Sequence, residues 1–138
     1  MRSLLLLPFL LLFAGCQPDG YAELGLINVT GKVTLDGQPL PHANVVFESA
    51  DKRTSSGVTD SSGSYTLMYD SETPGVTPGP KTVRITTANV GVEGGGTAEG
   101  AAPAGTERLP SKYNRQSELK ADVSASNKMF NFDLKSAP

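Results

Sequence analysis

Residues 27–37 read INVTGKVTLDG, and this stretch decides the fold class of the chain. Its apolar or small residues stand at every second position, which is the period of a β-strand with one buried face. Asp36-Gly37 then predicts a tight turn, because glycine accepts the positive φ that such turns require. A slip of one residue would turn Val33 outward, so the alternation and the turn together set the register. Gly31 lets this strand bend or lie close to a neighbour.

Six later segments repeat the alternation of apolar residues between turn signals. Residues 60–63 are the clearest turn, with Asp60 placed to accept backbone hydrogen bonds and a glycine at the end. Tyr65 is placed to bury its ring while its hydroxyl finds a backbone or solvent partner. Because no stretch after residue 16 shows a helical period, we expect an all-β fold, a seven-stranded antiparallel Greek-key β-sandwich. The six segments are 43–48, 53–59, 65–69, 81–88, 118–124 and 128–134, with Val45, Phe47, Val83, Ile85, Phe130, Phe132 and Leu134 facing the core.

The first 15 residues predict an export signal that is removed from the mature protein. Residues 4–14 form an apolar run that is shorter than the ~20 residues needed to span a bilayer. Ala14-Gly15-Cys16 follows the run and resembles the lipobox of bacterial lipoproteins, although Phe13 stands where that motif usually has Leu. The alternatives for this run are a buried helix or an uncleaved anchor.

Cys16 is the only cysteine of the chain, so an intramolecular disulfide is impossible. A single thiol at the processing site predicts lipidation of Cys16, with the fatty chains holding the protein to a membrane. Gln17 follows the cysteine, and the absence of Asp there favours the outer membrane over the inner one in bacteria with two membranes. Residues 16–26 predict a lipidated tether that keeps the domain, residues 27–135, close to the membrane of the cell envelope.

Residues 89–117 predict one long loop. We expect its 91–105 portion to be mobile, because this Gly/Ala-rich stretch buries too little apolar surface to offset the entropy of ordering. The residues after it form the best contact patch for an envelope protein or polysaccharide. The alternative is that Tyr113 packs on the sandwich while the charged groups stay in solvent. The patch consists of Lys112, Tyr113, Asn114 and Arg115.

Five segments carry a family pattern. Residues 29–41 read VTGKVTLDGQPLP, 43–47 read ANVVF, 57–67 read GVTDSSGSYTL, and 78–85 read PGPKTVRI. Together they resemble the carboxypeptidase regulatory-like domain, and LPSKYN at 109–114 is similar to a segment of small bacterial lipoproteins that carry it. The resemblance covers nearly all of the chain after the tether. It implies a transthyretin-like (prealbumin-like) fold and an accessory, folding or adhesive role, since a fold does not fix an activity.

The candidate residues for chemistry are few. His42 is the only histidine, which excludes a His pair for metal, and its place in a turn predicts an exposed loop residue. The serines after Asp60 have the spacing of the start of a calcium loop, but Ser71 stands where that loop needs a bidentate Glu. Residues 93–96 are Gly-rich but lack the Lys-Ser/Thr ending of a phosphate loop. The sequence therefore indicates no catalytic residue, no cofactor and no metal.

The length and net charge of the chain reduce the number of function classes that remain. A chain of 138 residues suits one domain with one modest core, and its net charge of −2 without an Arg/Lys cluster argues against nucleic acid as a partner. We expect a non-catalytic binding or structural module. One alternative is a hydrolase of the hydroxyisourate type, which resembles transthyretin but needs several histidines and a C-terminal Tyr-Arg-Gly-Ser, whereas residues 135–138 here read KSAP. Another is a folding or docking subunit of a larger envelope complex.

Overall fold

The computed structural model describes residues 22–88 and 107–136. The predicted leader at 1–15, the predicted lipidation site Cys16 and the loop portion at 91–105 lie outside these residues. Ala22–Leu24, within the predicted tether, forms one 3-10 turn, and Ser111–Tyr113 forms another. No helix in the described ranges is long and apolar enough to cross a bilayer.

The described part of the chain is all-β, as predicted, with eight strands and no α-helix. Each of the seven predicted segments overlaps one observed strand. The additional strand has two residues and follows the Asp36-Gly37 turn, where both residues have a positive φ, 51° and 82°. The strands are β1 Thr30–Leu35, β2 Gln38–Pro39, β3 Asn44–Glu48, β4 Thr54–Val58, β5 Ser64–Thr66, β6 Gly79–Thr86, β7 Lys120–Val123 and β8 Phe132–Leu134.

The strands form the two sheets of a β-sandwich. One sheet has the order β4-β3-β6-β7 with antiparallel neighbours, and Phe47 in β3 is opposite both Ser55 and Val83. In the other sheet, β1 pairs antiparallel with β2 and β5 but parallel with β8, where Val33 is opposite Phe132.

The parallel pairing differs from the antiparallel order that the sequence predicts. A turn near Ser126 separates the last two predicted segments, and a single bridge joins Ser124 to Asn127. The chain does not pair back along β7 after this turn but crosses to the other sheet. It therefore runs beside β1 in the same direction.

The core lies between the sheets and is centred on Phe47. Its ring makes edge-to-face contacts with Phe130 and Phe132, with centroids 5.6 and 6.3 Å apart. Such aromatic pairs add about 1 kcal/mol beyond the burial of their area. The inward positions predicted in β3, β6 and β8 are confirmed. The fully buried large side chains include Val33, Val45, Leu67, Val83, Ile85 and Leu134.

Gly31 lies where β1 passes close to the segment before β8. A Cβ on Gly31 would be 1.8 Å from the carbonyl oxygen of Phe130, so only glycine fits. The Tyr65 hydroxyl donates a hydrogen bond of 2.6 Å to the same oxygen, which confirms the partner predicted for it. Burial raises the pKa of Tyr65, so the hydroxyl keeps its proton and remains a donor.

The sandwich has two distinct ends. The chain enters at the end where β1 begins, and there Ile27 exchanges backbone hydrogen bonds of 2.9 Å with Val76. We call this the near end. The far end carries the Asp36-Gly37 turn, the turn at 60–63 and the last residue of β6, Thr86, opposite Asn44.

Candidate functional site

Glu107 joins the two pieces of chain that flank residues 89–106. Thr86 Oγ1 donates to the Glu107 carboxylate, and Thr87 donates from its backbone nitrogen at 3.1 Å and from Oγ1 at 2.7 Å. Ala88 N donates at 3.4 Å and Leu109 N at 2.9 Å. One carboxylate thus receives donors from both flanking segments and holds them together at the far end.

These hydrogen bonds determine the charge of Glu107. Burial raises its pKa, but the donors on Thr86, Leu109 and Thr87 outweigh this effect and lower the pKa to about 2. Hydrogen bonds to the ionised form stabilise it, as expected for a carboxylate that accepts several backbone N–H groups. Glu107 is therefore ionised at neutral pH, and both of its oxygens are occupied.

The segment 107–116 packs beside the sheet of β3 and β6. Leu109 and Tyr113 are buried, and the Tyr113 hydroxyl accepts a hydrogen bond of 3.1 Å from Lys135 N. Asn114 Nδ2 donates to Pro110 O at 3.3 Å, which holds the turn after the 3-10 segment. This segment is therefore an ordered wall against the sandwich.

The structure separates the four residues of the predicted contact patch. Tyr113 is buried against the sandwich, and the Lys112 ammonium lies 5.2 Å from the centre of its ring. Asn114 and Arg115 instead line a groove with residues of the sheet. Tyr113 thus packs on the sandwich, as the alternative for this segment describes, and the residues after the 3-10 turn reach the groove.

This groove has a volume of about 410 Å³ and lies on the outer face of the β3/β6 pair. Its floor consists of outward residues in matching register, since Asn44 is opposite Thr86 and Val46 is opposite Arg84. The wall opposite the strands includes the Glu107 carboxylate. We refer to the whole groove, floor and wall together, as the β3–β6 groove.

Arg84 is the central charged residue of the β3–β6 groove. Its Nη1 donates to Asn114 O at 2.8 Å and to Arg115 O at 3.4 Å, which ties the wall to the floor. Its Nη2 lies 3.8 Å from Glu48 Oε1, beyond hydrogen-bonding distance, and Lys52 Nζ approaches the same oxygen at 3.1 Å. A partly exposed guanidinium with donors to spare can bind an anion.

The residues of the Asp60 turn take no part in this groove. Asp60 Oδ1 accepts hydrogen bonds from Ser62 N at 2.8 Å and from Ser64 N at 3.0 Å, as the turn predicts. The Ser62 hydroxyl is the largest cause that lowers the pKa of Asp60. His42 is exposed on another turn with a φ of 56°. Within residues 22–88 and 107–136, no three His, Cys, Asp or Glu side chains form a metal-binding group.

Sequence reasoning missed Arg84 and Glu107. Arg84 had a signal, because it stands at an outward position of a strand whose neighbours Val83 and Ile85 point inward. Glu107 had none, since its donors Thr86 and Thr87 lie 21 and 20 residues away in the chain. Comparison of the chain with models of protein families, with curated proteins and with solved structures gives no match.

Proposed function

We propose that this protein is a lipoprotein of the bacterial cell envelope whose β-sandwich is a non-catalytic binding or structural module. The sandwich would be of the seven-stranded, Greek-key, transthyretin-like type found in the carboxypeptidase regulatory-like domain. The apolar run at 4–14 and the sole cysteine, Cys16, directly after two small residues support export and lipidation.

The observation that carries this proposal is the position of the β3–β6 groove relative to the start of the domain. Ile27 pairs with Val76 at the near end, whereas Thr86 and Glu107 lie at the far end. A ten-residue tether spans at most ~35 Å. An acyl group on Cys16 would therefore hold the near end toward the membrane and leave the groove accessible to envelope partners.

The chemistry of the groove supports binding rather than catalysis. The Glu107 carboxylate has a pKa of about 2, and a group this acidic is a weak base at neutral pH. Arg84 is fixed by main-chain oxygens of Asn114 and Arg115. Both charged groups are thus held in place, which suits recognition of a ligand.

Mass spectrometry of the protein isolated from a two-membrane bacterium tests the anchor. We expect a product that begins at Cys16 and carries diacylglycerol. We also expect the wild type to be labelled metabolically by an alkyne fatty acid, and the Cys16→Ser variant to remain unlabelled. Gln17→Asp is the matched variant, because it keeps the thiol and should shift the labelled protein from the outer to the inner membrane. An intact Met1 terminus or a free Cys16 thiol in the wild-type product would refute the proposal.

A further inference from the structure

We propose that the β3–β6 groove binds an extended peptide in which a carboxylate lies next to an aliphatic side chain. This inference rests on the proposed function, in that it takes the domain to be a binding module, and it names the ligand class. The groove combines two guanidinium groups, Arg84 and Arg115, with apolar surface from Val46 and Ala88.

The charge around the groove is opposite in sign to that of the chain. The whole chain has a net charge of −2. Arg84 and the wall segment 107–116 together carry four cations against one carboxylate, Glu107. The Glu48 carboxylate also lies 3.8 Å from Arg84 Nη2, but Lys52 Nζ is closer to it, at 3.1 Å, and offsets its charge. A ligand approaching this surface therefore meets a positive field, which favours an anionic partner. The four cations are Arg84, Arg108, Lys112 and Arg115.

Arg84 retains donors for a ligand. A guanidinium has five N–H groups, and the hydrogen bonds of Arg84 to Asn114 O and Arg115 O use Nη1 alone. Its Nε and Nη2 form no hydrogen bond with the described residues, and 37% of the side chain is exposed. Because Nη1 is already fixed, a carboxylate can bind without the loss of much side-chain entropy.

Arg115 and Asn44 supply further groups. Arg115 is exposed and forms no ion pair within the ranges that the structure describes. The amide of Asn44, on the floor, forms no side-chain hydrogen bond there and can bond a peptide group. Glu107 also lines the groove, but Thr86, Thr87 and Leu109 already engage its oxygens. The arginines are thus the charges available to a ligand.

The floor favours a peptide over an acidic polysaccharide, the other polymer class that carries carboxylates. Val46 and Ala88 line the groove with methyl groups. Sugar hydroxyls placed against them would lose hydrogen bonds to water without replacement, whereas an aliphatic side chain would gain from burial. A volume of about 410 Å³ fits a short segment of extended chain.

Titration of the full ¹⁵N-labelled chain in detergent micelles tests the inference by NMR. One probe is N-acetyl-Ala-Val-Glu-Ala-amide, with a side-chain carboxylate, and another is N-acetyl-Ala-Val-Ala with a free terminal carboxylate. The neutral control is N-acetyl-Ala-Val-Gln-Ala-amide. We expect at least one acidic probe to shift the amide signals of Val46, Arg84 and Arg115 and to bind about tenfold more tightly than the neutral one. The acidic probe that binds shows whether the groove recognises a side-chain carboxylate or a terminal one.

Three variants separate recognition from folding. Arg115→Gln removes an exposed charge and should abolish the preference for acidic probes, and Arg84→Lys should weaken it because lysine lacks the bidentate fork. Arg53→Gln is the control, since Arg53 is also exposed, pairs with Asp51 at 3.4 Å at the near end, and should leave binding unchanged.

Several results would overturn the inference. They are equal binding of the neutral probe, an unchanged preference in Arg115→Gln, and shifts of the same amides by trigalacturonate but by neither peptide. The anchor is judged separately by the mass of the mature protein. An acylated protein that ignores both acidic probes refutes this inference alone, and a binding protein without acylation refutes the anchor alone.

Discussion

Two carboxylates hold segments of this molecule together, and they do so over very different distances in the chain. Asp60 receives its donors from Ser62 and Ser64, two and four residues away. Glu107 receives donors from Thr87 and Ala88, 20 and 19 residues away. Asp60 is exposed and Glu107 is half-buried. The Asp60 contacts can be predicted from a short motif, whereas the Glu107 contacts depend on the sandwich that brings the two segments together.

This difference has an energetic consequence. If Asp60 is lost, water can satisfy the freed N–H groups, because the turn is exposed. If Glu107 is lost, several donors near a partly buried site lose their acceptor at once, and the two segments at 86–88 and 107–109 lose the group that joins them. Long-range contacts should therefore matter more to stability than local ones of the same chemistry.

Gly31 and Gly37 test this idea with the largest expected effect. Gly31→Ala should destabilise the protein by about 3 kcal/mol or more, because the new Cβ would overlap the backbone at Phe130 and disturb the bond from Tyr65. The free energy of unfolding from urea denaturation measures this. Gly37→Asn is the control, since nothing lies within 4 Å of its Cβ position and Asn tolerates a positive φ. Equal destabilisation by both variants would contradict the prediction.

The variants Glu107→Gln and Asp60→Asn compare the contributions of the two carboxylates to stability directly. We expect Glu107→Gln to reduce the free energy of unfolding at pH 7 by about 2 kcal/mol, because the amide keeps the shape but loses the charge and one acceptor. Asp60→Asn should have a smaller effect. Chemical denaturation of both variants decides the matter, and a larger loss in Asp60→Asn would reverse the comparison.

The pH dependence of stability should also depend on Glu107. Its pKa falls from an ordinary 4.5 to about 2 on folding, so the unfolded chain takes up its proton first as the pH drops. The stabilisation is complete above about pH 5 and is lost as the pH falls toward 2. Between these limits the wild type should lose roughly 2 kcal/mol more than Glu107→Gln, a figure below the full value of the shift because solvent screens this partly exposed group. Parallel pH profiles for the two proteins would show that Glu107 does not titrate in this way.

The smallest effect is expected from single hydroxyl groups. Thr87→Val removes a donor to Glu107 and the acceptor of a 2.8 Å bond from Arg108 N, and should destabilise by about 1 kcal/mol. Ser62→Ala removes a hydroxyl that donates to Asp60 at 2.6 Å in an exposed turn, and should lower the melting temperature less. Thermal unfolding of the pair measures the difference. If Ser62→Ala is the more harmful, the contrast between the two carboxylates is wrong.

The features that could be predicted from the sequence are the local ones, as the Asp60 turn is. Alternation placed the strands and the inward residues such as Phe47, and the turn at Asp60 was recognised from its own four residues. Even the close approach at Gly31 and the need of Tyr65 for a partner were expected, because each is a property of one residue type. Neither residue could reveal that Phe130 would be the neighbour.

The missed features all depend on where distant segments meet. The turn at 124–127 has the same local sequence whether the next strand pairs with β7 or crosses to the other sheet, so the parallel place of β8 had no local signal. The bond from Arg84 to Asn114 spans 30 residues. The groove therefore could not be derived, although its residues Asn114 and Arg115 were singled out for their polarity.

The crossing of β8 sets the order in which this protein can fold. Lys32 N donates to Asn131 Oδ1, and Thr34 Oγ1 donates to Asp133 Oδ1, each contact spanning 99 residues. β1 can thus pair early with β2 and β5, but its parallel neighbour β8 comes from the last part of the chain. Such late partners slow folding, because a large loop must close before the contact forms. The sandwich therefore stays incomplete, and open to chaperones, until its last strand has joined β1.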